Sequence, residues 1–268
     1  MSQPESATSE VMDATTVAAY LGRIDAAPPQ ALDAAALGGL HHAHQMTVPF
    51  ENLSIHLSEP ISLTAPDLLG KIISRRRGGF CYELNGAFAL LLRALGAGVV
   101  RVAARVYGDG GLSPPFDHMA LIVTPGDGSG RWLADVGFGS HATFPLRLDE
   151  RGEQDDPGGR FQVADAPDGD VDVLKDGRPQ YRVELRERSL ADFGPTCWYQ
   201  QTAPQSHFRA GTICSRLTAD GRISLSGQTV IRTSGGIRDE EELASDAAVL
   251  AAYRDLFGIT LDRVPRLP

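Results

Sequence analysis

Three cysteines occur in this 268-residue sequence, at positions 81, 197 and 214. Cys81 follows Arg75-Arg76-Arg77-Gly78-Gly79-Phe80 and opens the run CYELNGAFALLLRALG, which reads as a helix. A thiol at a helix N-terminus feels the positive end of the backbone dipole, which lowers its pKa and favours the thiolate. The two glycines ahead of it free the backbone to take dihedrals other residues resist, and they leave room for a ligand to come close. This is a setting for a nucleophile. Cys197 and Cys214 fit neither a zinc spacing nor a disulfide framework and read as small buried hydrophobes.

A thiolate nucleophile works beside an imidazole that a carboxylate orients. Seven histidines compete for that role. His41, His42 and His44 share one short run, but no second cluster completes a metal site, so they read as a solvated or locally packed helix face. His56 and His207 have no carboxylate at a telling distance in sequence. His118 is different. The stretch DHMALIVTPGDGSGRWLADVGFG reads as two strands joined by a glycine-rich turn. Pairing Val123 with Gly130 sets His118 directly across from Asp135, with both side chains on one face. Asp117, next to His118, then points away. His141 is the reserve base, and no metal is required.

The surrounding elements follow from hydrophobic period. TTVAAYLGRIDA carries Val17, Tyr20, Leu21 and Ile24 at helical spacing, with Thr15 or Thr16 as its cap. ALDAAALGGLHHAHQM, Thr64 to Ile73 and Cys81 to Leu95 follow as further helical runs, with Gly96 as the last one's stop. After Gly98 the period becomes two: VVRVAARVYG alternates, and strand pairs follow across Asp176-Gly177 and Asp220-Gly221. DERGEQDDPGGR reads as a polar surface loop, and Ser245 to Phe257 as a closing helix before Gly258. Helices first, a strand-rich middle, then strands plus a last helix make an α+β chain in three small regions.

Composition limits what the chain does. With 25 basic and 34 acidic residues its formal net charge is -9, which disfavours electrostatic binding of nucleic acid. The triple arginine reads as a solvated face that could also attract phosphates. Residues 1–16 lack the basic and apolar regions of a secretory signal and read as a frayed tail. The most apolar segment, Ala87 to Val100, is broken by Arg93 and too short to span a bilayer. The expectation is a cytoplasmic protein with reduced thiols that binds neither membrane nor nucleic acid, as a monomer or small homo-oligomer.

RRRGGFCYELN, DHMALIV and DVGFG, in that order, resemble the arylamine N-acetyltransferases, and YLGRI and VPFENLSIH near the N-terminus resemble them too. The resemblance runs from about residue 20 to beyond 210. It implies an N-terminal helical bundle (residues 1–97), a β-barrel (98–200) and a C-terminal α/β lid (201–268), in agreement with the periodicity. It also implies acetyl-CoA as donor and an aromatic amine or hydrazine as acceptor. By position, Cys81 would be the acyl-accepting nucleophile, His118 its acid–base partner and Asp135 the orienter. Phe50, Phe138 and Phe208 would line the acceptor pocket, and Gly139 would lie near the coenzyme's path. Three other readings retain some of these residues: an amide synthase closing a polyketide chain on its own aryl amine, a transglutaminase-like cysteine hydrolase, and an idle binding protein on the same fold.

Overall fold

The structure is a computed structural model and describes residues 12–267. The frayed tail expected at the N-terminus falls mostly on residues 1–11, outside the described residues. Met12 is buried, and Asp13, not Thr15 or Thr16, caps the first helix by accepting the Thr16 N–H at 2.7 Å. An aspartate competes well for this position because its carboxylate also meets the helix dipole.

Eight helices are labelled α1 (Ala14–Arg23), α2 (Ala34–Thr47), α3 (Leu53–His56), α4 (Ala65–Leu69), α5 (Cys81–Ala94), α6 (Gly194–Thr202), α7 (His207–Ala210) and α8 (Asp246–Phe257). A single π-helical turn, Gly70–Ser74, extends α4. Helix α5 is the centre of the N-terminal part. Every residue from Cys81 to Leu92 is buried, so it is wrapped on all sides rather than packed along one stripe. It ends where the sequence stops it, with Gly96 in the left-handed region at φ 94°.

Strands β1 (Phe50–Glu51), β2 (Gly98–Gly108), β3 (Gly111–Leu112), β4 (His118–Thr124), β5 (Trp132–Ala134), β6 (Leu146–Arg147) and β7 (Glu153–Asp156) come first. Then follow β8 (Gly159–Asp165), β9 (Val171–Lys175), β10 (Arg178–Glu187), β11 (Ile213–Thr218), β12 (Gly221–Ser226), β13 (Thr229–Ser234) and β14 (Ile237–Glu242). One antiparallel sheet runs β6-β5-β4-β2-β10-β9-β8-β7 and curls until its ends approach. The gap is bridged by a side chain. Gln154 of β7 accepts the Arg147 N–H and donates to the Arg147 carbonyl of β6, imitating a strand pair. The barrel is therefore nearly closed.

DERGEQDDPGGR, expected as loop, supplies β7 and the start of β8. The turn forms because Asp156 accepts the N–H of Gly158, at 2.6 Å, and also those of Thr143 and Phe144. Its polar residues face water from the barrel's rim, which hid the strand. A second sheet, β1-β11-β12-β13-β14, packs α8 on one side, around Leu53, Leu225, Val249 and Tyr253. Its edge strand β1 comes from the helical segment, so Phe50 and Glu51 pair with Ser215 and Cys214.

Three cores result. One surrounds α5 and receives Met119, Leu121 and Val123 from β4. The second fills the barrel and receives Ala120 and Ile122 from the other face of the same strand. The third joins the second sheet to α8. Strand β4 thus separates the first two, and His118 begins it. Among the described residues no helix is long and apolar enough to cross a membrane.

Candidate active site

Cys81 is the first residue of α5, as its sequence context implies. Glu83 secures that end by accepting the Phe80 N–H at 3.2 Å, and its other oxygen meets Lys71 at 2.6 Å. Gly78 and Gly79 serve a purpose other than the one expected. Neither has positive φ, and the space beside them is taken. A Cβ on Gly78 would stand 1.8 Å from the Pro49 carbonyl oxygen, and one on Gly79 would stand 2.6 Å from Glu83 Cβ. The glycines let strand β1 and the Cys81 loop touch, and Glu51 N–H bonds the Gly79 carbonyl at 2.9 Å. Arg77 likewise turns inward. It forms two hydrogen bonds to Glu51, at 2.9 and 3.1 Å, and is not part of a solvated face.

His118 and Asp135 meet, but not by the register expected. Val123 pairs with Trp132, not Gly130, so the position across from Asp135 is Ala120 and His118 lies diagonal to it. The turn is wider than two strands alone suggest because its residues bond elsewhere. Asp127 holds the N–H groups of Ser129 and Ala34, and Gly126 N–H reaches the Leu32 carbonyl. The slip is two residues, so the face is preserved. His118 Nε2–H donates to Asp135 Oδ2 at 2.7 Å, and both residues are buried.

Asn85 links this pair to the helix that Cys81 begins. It stands one turn after Cys81 and donates to the Met119 carbonyl at 2.6 Å and to Asp135 Oδ1 at 2.9 Å. Its own oxygen accepts the Val136 N–H at 3.0 Å. Asp135 Oδ1 also accepts Gly137 N–H, and the Asp135 N–H donates to His41 Nε2 at 3.1 Å. A Cβ on Gly137 would lie 2.7 Å from Cys81 Cα, so this loop can approach α5 only with glycine there.

The electrostatics are those of a dry pocket. Burial pushes the Cys81 thiol well up, the Asp117 and Asp135 carboxylates push it further, and a hydrogen bond from the Met119 backbone opposes them. The lowered thiol expected from the helix dipole alone is outweighed by desolvation. Burial would also raise Asp135, but the His118 imidazole, with His141 and Asn85, holds its carboxyl well below the usual range. His141, expected as a reserve base, is packed against Phe138, Phe161 and Tyr181, and its Nε2 lies 3.0 Å from Tyr181 Oη. Burial brings it down to about 4.

Cys81 and His118 line a cavity of about 520 Å³ together with Phe50, Phe138 and Phe208. Gly139 does not line it. It sits at φ 92° beside a smaller recess formed with Phe50, Val136 and Arg222. Phe208 is held by the VPFENLSIH segment. Asn52 donates to the Phe208 and Gly211 carbonyls at 2.9 and 2.8 Å, and His56 Nε2 lies 2.9 Å from the same Phe208 oxygen. The ring then rests 6.2 Å from Phe50 and 5.4 Å from Phe80. The sequence pattern passes over Asn52 and Asn85 and offers His41 only as part of a helix face. The one available signal was spacing, since Asn85 follows Cys81, and His56 follows Asn52, by one helical turn.

The profile of the N-acetyltransferase family matches residues 33–265, which sets the class. An arylamine N-acetyltransferase of Mycobacterium bovis is 36% identical over 260 residues, covering 92% of this chain and 90% of its own. One of Escherichia coli is 32% identical over 252 residues, covering 91% and 88%. The solved structure of the Mycobacterium smegmatis arylamine N-acetyltransferase superposes with a TM-score of 0.87 at 32% identity, over 96% of this chain and 97% of that one. That of Mycobacterium marinum, in complex with CoA, gives 0.84 at 31% identity over 91% and 92%. The chain belongs to the arylamine N-acetyltransferase family and is an acyltransferase.

Proposed function

We propose that the protein transfers an acetyl group from acetyl-CoA to the nitrogen of an aromatic amine or hydrazine, through an acetyl-Cys81 intermediate. The observation that carries this reading is the meeting of Cys81 and His118 in one phenylalanine-lined cavity, with Asp135 fixed behind the imidazole. The names of the relatives support the acceptor, and the CoA bound to the Mycobacterium marinum protein supports the donor.

Because Asp135 occupies Nε2, the other ring nitrogen of His118, Nδ1, serves the thiol. A buried thiol that resists ionisation becomes a thiolate only as its proton passes to that nitrogen, leaving an imidazolium that Asp135 stabilises. The thiolate attacks the acetyl carbonyl, and backbone N–H groups in the first turn of α5 receive the charge developing on oxygen. The C–S bond to coenzyme A then breaks. The departing thiolate takes the proton from His118 and leaves a thioester on Cys81. Thioester for thioester keeps the acyl group activated, which a serine ester would not.

The coenzyme vacates the reacting position before an amine enters, so the cycle is ping-pong. The amine attacks the acetyl-Cys81 carbonyl, His118 Nδ1 accepts the proton the nitrogen sheds, and Cys81 leaves as thiolate and takes that proton back as the resting thiol. Aromatic amines are largely neutral near pH 7 and arrive ready to react. Phe50, Phe138 and Phe208 hold the ring and keep water from the thioester. Residues 201–268 act as the lid through Phe208 and its loop.

Intact-protein mass spectrometry after mixing with acetyl-CoA, without amine, tests this. The expected result is one acetyl adduct on Cys81 that disappears on adding aniline or a hydrazine. Absence of an adduct on a thiol that iodoacetamide still labels would overturn the reading and leave the amide synthase or the hydrolase.

A further inference from the structure

Asp135 is held at its carboxylate by His118, Asn85 and Gly137, but its backbone is held by one side chain from a different element. That side chain is His41, on α2, and it is 1% exposed. Its Nε2 lies 3.1 Å from the Asp135 backbone nitrogen, and its Nδ1 lies 3.0 Å from the Thr143 carbonyl oxygen. A backbone N–H can only donate, so Nε2 is the bare nitrogen and Nδ1 carries the proton that Thr143 accepts. The Gln45 amide nitrogen, 3.0 Å from Nδ1, donates to the Ala142 and Thr143 carbonyls and so shares that acceptor. Burial pushes the ring's pKa down and keeps it neutral. Only the neutral ring suits the site, since an imidazolium would direct two N–H donors at each other.

We infer that His41 is a positioning residue for the reaction, fixing the Asp135 backbone so that its carboxylate meets His118 at the distance that steadies the imidazolium. The geometry favours this over a space-filling role. His41 spans from the segment carrying Asp135 to Thr143, which follows the Gly137–His141 loop, so one ring fixes both ends of the stretch that includes Phe138. His41 holds Asp135 from α2, whereas His118 and Asn85 hold it from β4 and α5, and α2 itself stays away from the cavity. The inference rests on the proposed roles of Cys81, His118 and Asp135.

Two substitutions separate the two ends of the ring. The amide of asparagine reaches the place of Nδ1, and that of glutamine the place of Nε2. His41→Asn keeps the bond to Thr143 and leaves the Asp135 N–H alone; His41→Gln offers an oxygen to Asp135. The expected result is that His41→Asn lowers kcat roughly tenfold to a hundredfold. KM for acetyl-CoA should stay within about twofold, because the ring does not touch the cavity. Iodoacetamide should label Cys81 at neutral pH more slowly in the same proportion, and His41→Gln should recover most of both rates. Equal behaviour of the two variants at equal Tm overturns the inference, as does an unimpaired His41→Asn. If His41→Asn does not fold, His41→Gln decides: retained rates support the inference and lost rates overturn it. The labelling needs no acyl donor. A wild-type protein that takes no acetyl group would therefore sink the proposed function while leaving the His41 comparison to be read on its own.

Discussion

At the scale of single residues, the site depends on Asn85 as much as on the groups its sequence pattern advertises. One amide reaches the Met119 carbonyl, the Asp135 carboxylate and the Val136 N–H, all inside a region with no access to water. Asn85→Ala strands each of those partners, at a cost of about 1–3 kcal/mol for a buried group left unpaired. We expect kcat to fall on the order of tenfold to a hundredfold, read by steady-state assay with acetyl-CoA and an aniline. Asn85→Asp should be worse, because a second carboxylate beside Asp135 repels it and cannot donate to Met119. Wild-type kinetics in either variant would remove Asn85 from the site's architecture. Cys81→Ala should show no turnover and no acetyl adduct, and an active Cys81→Ala protein would end the covalent reading.

At the scale of elements, the sequence exposed those whose pattern is local and hid those fixed by distant partners. Period-3.6 and period-2 runs placed α1, α2, α5, β2, β4 and α8, and the two Asp-Gly turns gave real hairpins. Asp176 and Gly177 both take positive φ there, as a tight turn requires. Strands β7 and β14 are not legible, since they are polar or charged and owe their pairing to neighbours, whereas β13, with Thr229, Val230 and Ile231, carries a short β-branched signal that the hairpin reading stops short of. The β4–β5 register escaped for the same reason, because contacts to Leu32 and Ala34 set the turn. The pair of glycines before Cys81 suggests open space, and only the fold reveals the strand lying against it. That gives a contrast. Gly78→Ala must drive β1 off the Cys81 loop, and overpacking of this kind costs about 1–3 kcal/mol. Gly139→Ala meets no neighbour within 4 Å and suffers only from its φ of 92°, roughly 1–2 kcal/mol. Urea midpoints should rank them in that order, and the reverse order would show that the loop before Cys81 is slack.

At the scale of the whole molecule, the three cores are joined by buried polar groups, and these make folding stability depend on pH. Burial pushes His41, His44 and His141 all below the ordinary imidazole value, with the Arg23 charge adding to the effect on His44. Each binds a proton near pH 6.5 when unfolded and not when folded. Their contribution is therefore present above about pH 6.5 and is lost as pH falls toward the folded values. For His141 the interval runs from 6.5 to about 4, worth roughly 3 kcal/mol. Burial opposes the ionisation of Glu51, but Lys71 and Arg77 outweigh it and hold its carboxyl low, as His118 does for Asp135. These two contributions are present above about pH 4 and are lost as pH falls further. Glu83 acts the other way, because burial raises its carboxyl, so it contributes most at pH below its unfolded value. Two raised carboxyls, Glu83 and the partly exposed Asp170, against three depressed imidazoles still leave a net loss on the acid side. Tm measured by calorimetry should fall steadily from about pH 7 to about pH 4. His141→Gln keeps a partner for Tyr181 and removes one titrating ring, so it should flatten that limb, and a wild-type Tm that stays level across the interval would show that these imidazoles take up protons without unfolding.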